Sequence, residues 1–245
     1  MTSLVFVVAL VGLLIGLSKG GLGAGLIVIT TPLLSMVMPV TEAVSTLLPM
    51  LIFADIFALW FYWRTWEMKY IRLMLPLAVV GILAGTYMLA NLPDRTLRII
   101  LAVFVIIFIA YRLLSSRLEN LQYQPRNWHG WLAGATAGLG SAIASSGAPP
   151  FTAYMLLQNV KPVAFVGTTT LFFSLLNALK VVTFLPSGIL DFNDGLNVVW
   201  AAPVIVAGIW IGKWSVSRMN RVVFEVIILA ALAVASFVLL FTSPQ

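Results

Sequence analysis

Long apolar runs separated by short polar turns make up most of the chain. The clearest are Leu73 to Ala90, Leu97 to Leu114, Val163 to Leu185 and Val222 to Phe241. Each comes close to or exceeds the ~20 residues that carry a helix across a bilayer. Backbone groups inside hydrocarbon must hydrogen-bond within the protein, which leaves helices or a closed barrel. Barrel strands alternate apolar with polar positions and these runs do not, so the pattern predicts a polytopic all-α membrane protein.

The pattern occurs twice. A gapless shift of 122 residues lays Gly12, Gly16, Leu17, Gly25, Thr30, Leu34, Val44 and Thr46 on Gly134, Gly138, Leu139, Gly147, Thr152, Leu156, Val166 and Thr168. The same shift lays Asp55 on Asn177, and a shift of 127 lays Pro76, Gly81 and Gly85 on Pro203, Gly208 and Gly212. Apolar sequences align easily, but one register held over two stretches predicts two repeats of about four helical segments each. Residues 1–115 form the first repeat, 116–128 a polar linker and 129–245 the second.

Each repeat opens on a segment too short to span. Leu4 to Leu17 makes only ~21 Å of helix at ~1.5 Å per residue. It runs into the glycine-dense Ser18-Lys19-Gly20-Gly21-Leu22-Gly23-Ala24-Gly25, followed by a second short run to Met38. The second copy reaches Ser145-Ser146-Gly147-Ala148-Pro149-Pro150, where the prolines suit the first turn of a new helix. Both repeats are therefore expected to open with a broken or re-entrant helix.

Loop charges choose between crossing and turning back. If each broken pair crosses once, Lys and Arg divide six against six. If the second pair turns back, Arg64, Lys69, Arg72, Arg112, Arg117, Arg126, Lys161, Lys213, Arg218 and Arg221 share one side, and only Arg95 and Arg98 face them. The positive-inside rule selects the second arrangement, which makes the repeats inverted. The count tests only the second pair; the first follows through the repeat, and two short tilted spans would give the same count.

Composition agrees. Of 245 residues, 61% are hydrophobic and 9% charged, against roughly a quarter charged in soluble domains. The net charge of +6 lies scattered in short loops, which reads as an orientation signal and not as a nucleic-acid surface. There is no Cys, and Gly-Lys-Ser/Thr does not occur, so neither thiolate chemistry nor an ATP-binding loop is expected. The first run lacks a charged leader and a small-residue cleavage site and flows straight into the rest, so it is not read as a removable signal peptide.

A helix interrupted inside the bilayer exposes N–H groups and a positive dipole end, and glycine lets an anion approach them. Ser18, Lys19, Gly20, Gly21 and Gly23 from the first break, and Ser145, Ser146 and Gly147 from the second, are the candidate substrate-binding residues. Gly12, Gly16, Gly134 and Gly138 fit small-xxx-small helix packing instead. Thr170, Ser174 and Asn177 form a polar stripe on one helix face, continued by Lys180. The stripe is expected to face a partner helix or a cavity, and Ser174 and Asn177 join the candidate site; Lys180 either continues it as a coupling or ion-pair group or snorkels to the outer interface. Asp55 is the one acid well inside a span, a coupling group or the counter-ion of Lys19. The single histidine, His129, beside Trp128 at an interface, offers no metal cluster.

Gly16-Leu17-Ser18-Lys19-Gly20-Gly21-Leu22-Gly23, with the second copy ending Ser146-Gly147-Ala148-Pro149-Pro150, resembles the TauE/SafE sulfite exporter family along essentially the whole chain. The resemblance implies transport of sulfite, sulfonates or thiosulfate across a bacterial-type inner membrane. Ala142 and Ile143 stand where the first motif has Gly20 and Gly21, so the two halves of the site are not equivalent. The expected partners are a small anion, a coupling proton or cation and the lipid bilayer. No cofactor or metal is expected, and glycine-faced helices permit a homodimer. An anion channel with the same site is the alternative. A membrane enzyme is disfavoured, since no paired intramembrane carboxylates serve acid–base work.

Overall fold

The computed structural model describes residues 2–22, 25–118, 126–158, 160–191, 198–215 and 233. All regular structure among them is helical. In chain order the elements are α1 (Thr2–Leu17), a π-helical turn (Ser18–Leu22), α2 (Gly25–Ser35), α3 (Val40–Phe61), α4 (Met68–Asn91) and α5 (Asp94–Leu118). After residues 119–125 follow α6 (Asn127–Ala144), α7 (Ala148–Leu156), α8 (Pro162–Phe184), a 3₁₀ turn (Val199–Ala201) and α9 (Ala202–Ser215). Among the described residues three helices are long and apolar enough to cross a membrane: Val40–Phe61, Met68–Asn91 and Val163–Phe184. The expected runs 73–90, 97–114 and 163–185 fall on α4, α5 and α8; Val222 to Phe241 lies outside the described residues.

Contacts define two ends. At one, the Glu67 N–H donates to Thr168 Oγ1 at 2.8 Å, and Tyr70 meets Tyr154 with ring centroids 6.4 Å apart. Gly130 packs against Leu73 and Tyr154, and Lys213 Nζ lies 5.4 Å over the Phe61 ring. The α3–α4 turn, the start of α6, the end of α7, the start of α8 and the end of α9 thus gather together. At the other end the Val40 N–H donates to Asp94 at 2.7 Å, and Arg98 donates to the Met38 carbonyl at 3.0 Å. Val40, Leu89, Leu97, Phe184 and Ile189 share one apolar cluster there. Arg98, read from the sequence as a loop charge, is buried in α5 and also bonds Asp94. Its charge serves this helix junction because the chain before α3 needs its carbonyl and N–H satisfied away from water.

Two glycine-lined seams hold long helices together. In one, α1 runs parallel to α9: a Cβ on Gly16 would strike the Ile205 carbonyl, and one on Gly208 the Leu13 carbonyl. In the other, α6 runs parallel to α4: a Cβ on Gly138 would strike the Ala78 carbonyl, and one on Gly81 the Ala135 carbonyl. Backbones this close require small residues, which is the packing expected of Gly16 and Gly138. α7 folds back along α6, with Gly147 against Ala137 and Tyr154 against Gly130. α7 therefore packs antiparallel to α6.

Candidate functional site

The first interruption is narrower than the sequence suggests. Helix continues through Ser18–Leu22 as a wider π turn, so Ser18 and Lys19 close the first half-helix and do not lie between two halves. Glycines permit the wider turn without steric penalty, and hydrogen-bonded turns outcompete an open loop where water is absent. Gly21 lies in that turn, and Gly23 lies outside the described residues. Gly20 abuts the Ile209 carbonyl and Gly212, so it extends the α1–α9 seam. In the second copy α6 ends at Ala144 and α7 begins at Ala148. Ser145 ends α6 in the left-handed region, at φ 49°, where glycine is usual and serine is strained. The equivalent position in the first repeat is Gly23.

Opposite the interruptions, α3 and α8 supply the charges. Lys19 Nζ donates to Asp55 Oδ1 at 2.5 Å, and Asn177 Nδ2 donates to Asp55 Oδ2 at 2.7 Å. Both carboxylate oxygens are thus engaged, one by a cation and one by an amide. Asp55 and Asn177 are the pair that the 122-residue shift superimposes, and they touch. Of the two readings of Asp55, its partner is Lys19. Lys180 is fully buried, which excludes snorkelling; its Nζ donates to the Ser141 carbonyl at 3.2 Å.

The end of α6 explains that contact. The last four carbonyls of a helix lack intrahelical partners. Lys180 takes that of Ser141, and Thr31 Oγ1 takes that of Ala144 at 2.8 Å, which brings α2 against the same helix end. The Ser145 and Ser146 N–H groups both bond the Gly140 carbonyl. Pro149 and Pro150 have no N–H to offer, so hydroxyls become the main donors of this half. Ser145 Oγ and Ser146 Oγ are buried without a hydrogen-bond partner. Buried hydroxyls left unmatched are uncommon and costly, about 1–3 kcal/mol each.

Lys19, Asp55 and Asn177 are thus joined by direct polar contacts, and Lys180, one turn further along α8 than Asn177, bonds the end of α6 that leads into Ser145 and Ser146; Ser18, next to Lys19, is buried. Ser174 stands apart, its hydroxyl bonded back to the Thr170 carbonyl of its own helix. Ser141 was not singled out by the sequence; Thr30 and Thr31, as helical threonines, are expected to bond back to their own helix, which Thr30 does on Ile27 whereas Thr31 reaches across to Ala144. Ser141 had a signal, since the 122-residue shift lays Lys19 on it. A separate open groove of about 430 Å³ runs between α4 and α8, lined by Thr86, Tyr87, Val182 and Thr183 among others; it is mainly apolar and holds none of the charged groups.

The family model of the sulfite exporter TauE/SafE matches residues 8–239. The chain belongs to this family and is an integral membrane protein of a transporter class. No curated protein and no solved structure matches it.

Proposed function

We propose that the protein is a secondary transporter that carries a small sulfur-containing anion, of the sulfite, sulfonate or thiosulfate type, across a bacterial inner membrane. The observation that carries this reading is the buried zone of Lys19, Asp55, Asn177 and Lys180 beside two unpartnered seryl hydroxyls. Charged groups in a bilayer are costly and mark solute paths when they face one another at an interruption. A compact oxyanion accepts hydrogen bonds from ammonium and hydroxyl groups alike.

The architecture supports the reading. Seam contacts recur in equivalent positions: Gly16 on Ile205 corresponds to Gly138 on Ala78, and Gly208 on Leu13 to Gly81 on Ala135. α1 is parallel to α9, whose C-terminal end lies with Phe61, so α1 enters from the end opposite to α6. Residues 38–40, after α2, return to the end where α1 begins. Two re-entrant hairpins entering from opposite sides, in two inverted repeats divided by residues 116–128, account for all of this. Arg64, Lys69, Arg126, Lys161 and Lys213 share one end, which the positive-inside rule makes cytoplasmic.

Purified protein in proteoliposomes, supplied with labelled sulfite, thiosulfate or a sulfonate under proton and sodium gradients, should show saturable uptake and exchange. Failure to move any of these anions under every gradient rejects the proposal. Unitary currents in a planar bilayer would assign the same site to a channel.

A further inference from the structure

Not all the positive charge in the buried zone is available to a ligand. Lys19 is 2.5 Å from Asp55, and the Asp55 carboxylate is held in place from its other side by Asn177. That pair is neutral taken together. Lys180 is different. Among the described residues its ammonium has one hydrogen-bond partner, the carbonyl of Ser141, and an ammonium offers three donors. A carbonyl spends one of them and cancels no charge. Asp55, Arg98 and Lys180 are the fully ionisable side chains buried among the described residues, and Arg98 is paired with Asp94 at one end of the molecule. The zone around Asp55 therefore holds Lys19, Asp55 and Lys180, and its formal balance is one positive charge.

The unspent groups also lie on one side. Ser141, which receives Lys180, is one turn before Ser145 on α6, and Ser145 and Ser146 carry the unpartnered buried hydroxyls. Two free ammonium donors and two free hydroxyls thus belong to the second interruption, whereas the first contributes a closed ion pair. Charge left alone at such depth is strongly unfavourable, and one negative charge offsets it, while two would leave an excess of the opposite sign.

We propose that Lys180, with the hydroxyls of Ser145 and Ser146, holds a singly charged oxyanion, and that Asp55 sets this preference by neutralising Lys19. The inference rests on the anion-carrier reading above and adds which cation binds and what ligand charge is selected. The class is a monoanion with at least three oxygen acceptors, such as an organic sulfonate, in preference to a dianion of the same size. Lys19 becomes a ligand-facing charge only when Asp55 is removed.

The test uses the full-length protein in detergent, with methanesulfonate and sulfate as probes of similar shape and different charge, and binding measured by calorimetry. The parent protein should bind methanesulfonate better than sulfate. Lys180→Gln should weaken methanesulfonate by about tenfold or more, the loss of one charge-assisted hydrogen bond. The paired change Lys19→Gln with Asp55→Asn should weaken methanesulfonate binding less than Lys180→Gln does. Asp55→Asn alone should move the sulfate-to-methanesulfonate affinity ratio toward sulfate by about tenfold, because Lys19 is then uncompensated. Folding is checked by size exclusion and thermal melting. If Lys180→Gln does not fold, the affinity ratio in Asp55→Asn still decides. An unchanged ratio, or methanesulfonate binding that survives Lys180→Gln and fails in the paired variant, overturns the inference and leaves the carrier reading standing. If the parent binds and transports no anion, the carrier reading fails and takes the inference with it.

Discussion

Asp55 is engaged on both carboxylate oxygens, and that makes its loss distinct from the loss of the whole pair. Removing it leaves Lys19 without a counter-charge in a buried setting, which costs about 3–5 kcal/mol when a buried pair is broken on one side. Asp55→Ala should therefore lower the melting temperature in detergent more than Lys19→Ala with Asp55→Ala together. Equal or additive losses would show that the two side chains act independently. At this scale the sequence was informative about partners and less so about environment. Asp55 as counter-ion of Lys19 was one of two readings, and it is the one the geometry contains. Lys180 stayed ambiguous because a long aliphatic stem reaches either an interface or a helix end. The carbonyl that decides it belongs to Ser141, 39 positions away, and comes near only through the packing of α6 on α8.

At the scale of elements, apolar runs located the long helices well because length and hydrophobicity are local properties. Interruptions were harder. Glycine density marked a break over residues 18–25, yet helical bonding persists through Leu22. Glycine lowers the cost of many conformations without choosing among them. For the second segment Pro149 and Pro150 give a sharper signal, since they suit the first turn of a new helix, and α7 begins at Ala148. The seams give a direct prediction. Gly138→Leu would drive a side chain into the backbone of Ala78, and no rotamer relieves a clash with a carbonyl on a neighbouring helix. Thermal stability should fall by an amount equivalent to about 1–3 kcal/mol or more. A substitution on the exposed face of the same helix, Leu132→Ala, is the control and should change stability little. Gly16→Leu should behave like Gly138→Leu if both seams bear on stability equally.

For the whole molecule, the expected sidedness can be read chemically. The chain has no Cys, so single cysteines can be introduced without a background. Arg64→Cys and Lys161→Cys should react with a membrane-impermeant maleimide only after intact cells are permeabilised. Pro93→Cys and Ser187→Cys should react in intact cells. Labelling of residue 161 together with 187 would mean that α6 and α7 cross the membrane once between them. Loop charge predicts this arrangement for α6 and α7, because the side assigned to Lys161 changes with the topology. Nothing comparable flanks α1 and α2, for which the sequence offered only the internal repeat.

Those parallel seams carry one more consequence. Each joins the opening helix of one half to a later helix of the other, so the halves are clasped like interlaced fingers and not set side by side. Severing the chain within residues 119–125 would give two fragments, each with a glycine-lined face and no helix to cover it. Either fragment produced alone should be degraded, whereas both produced together should find one another and restore transport.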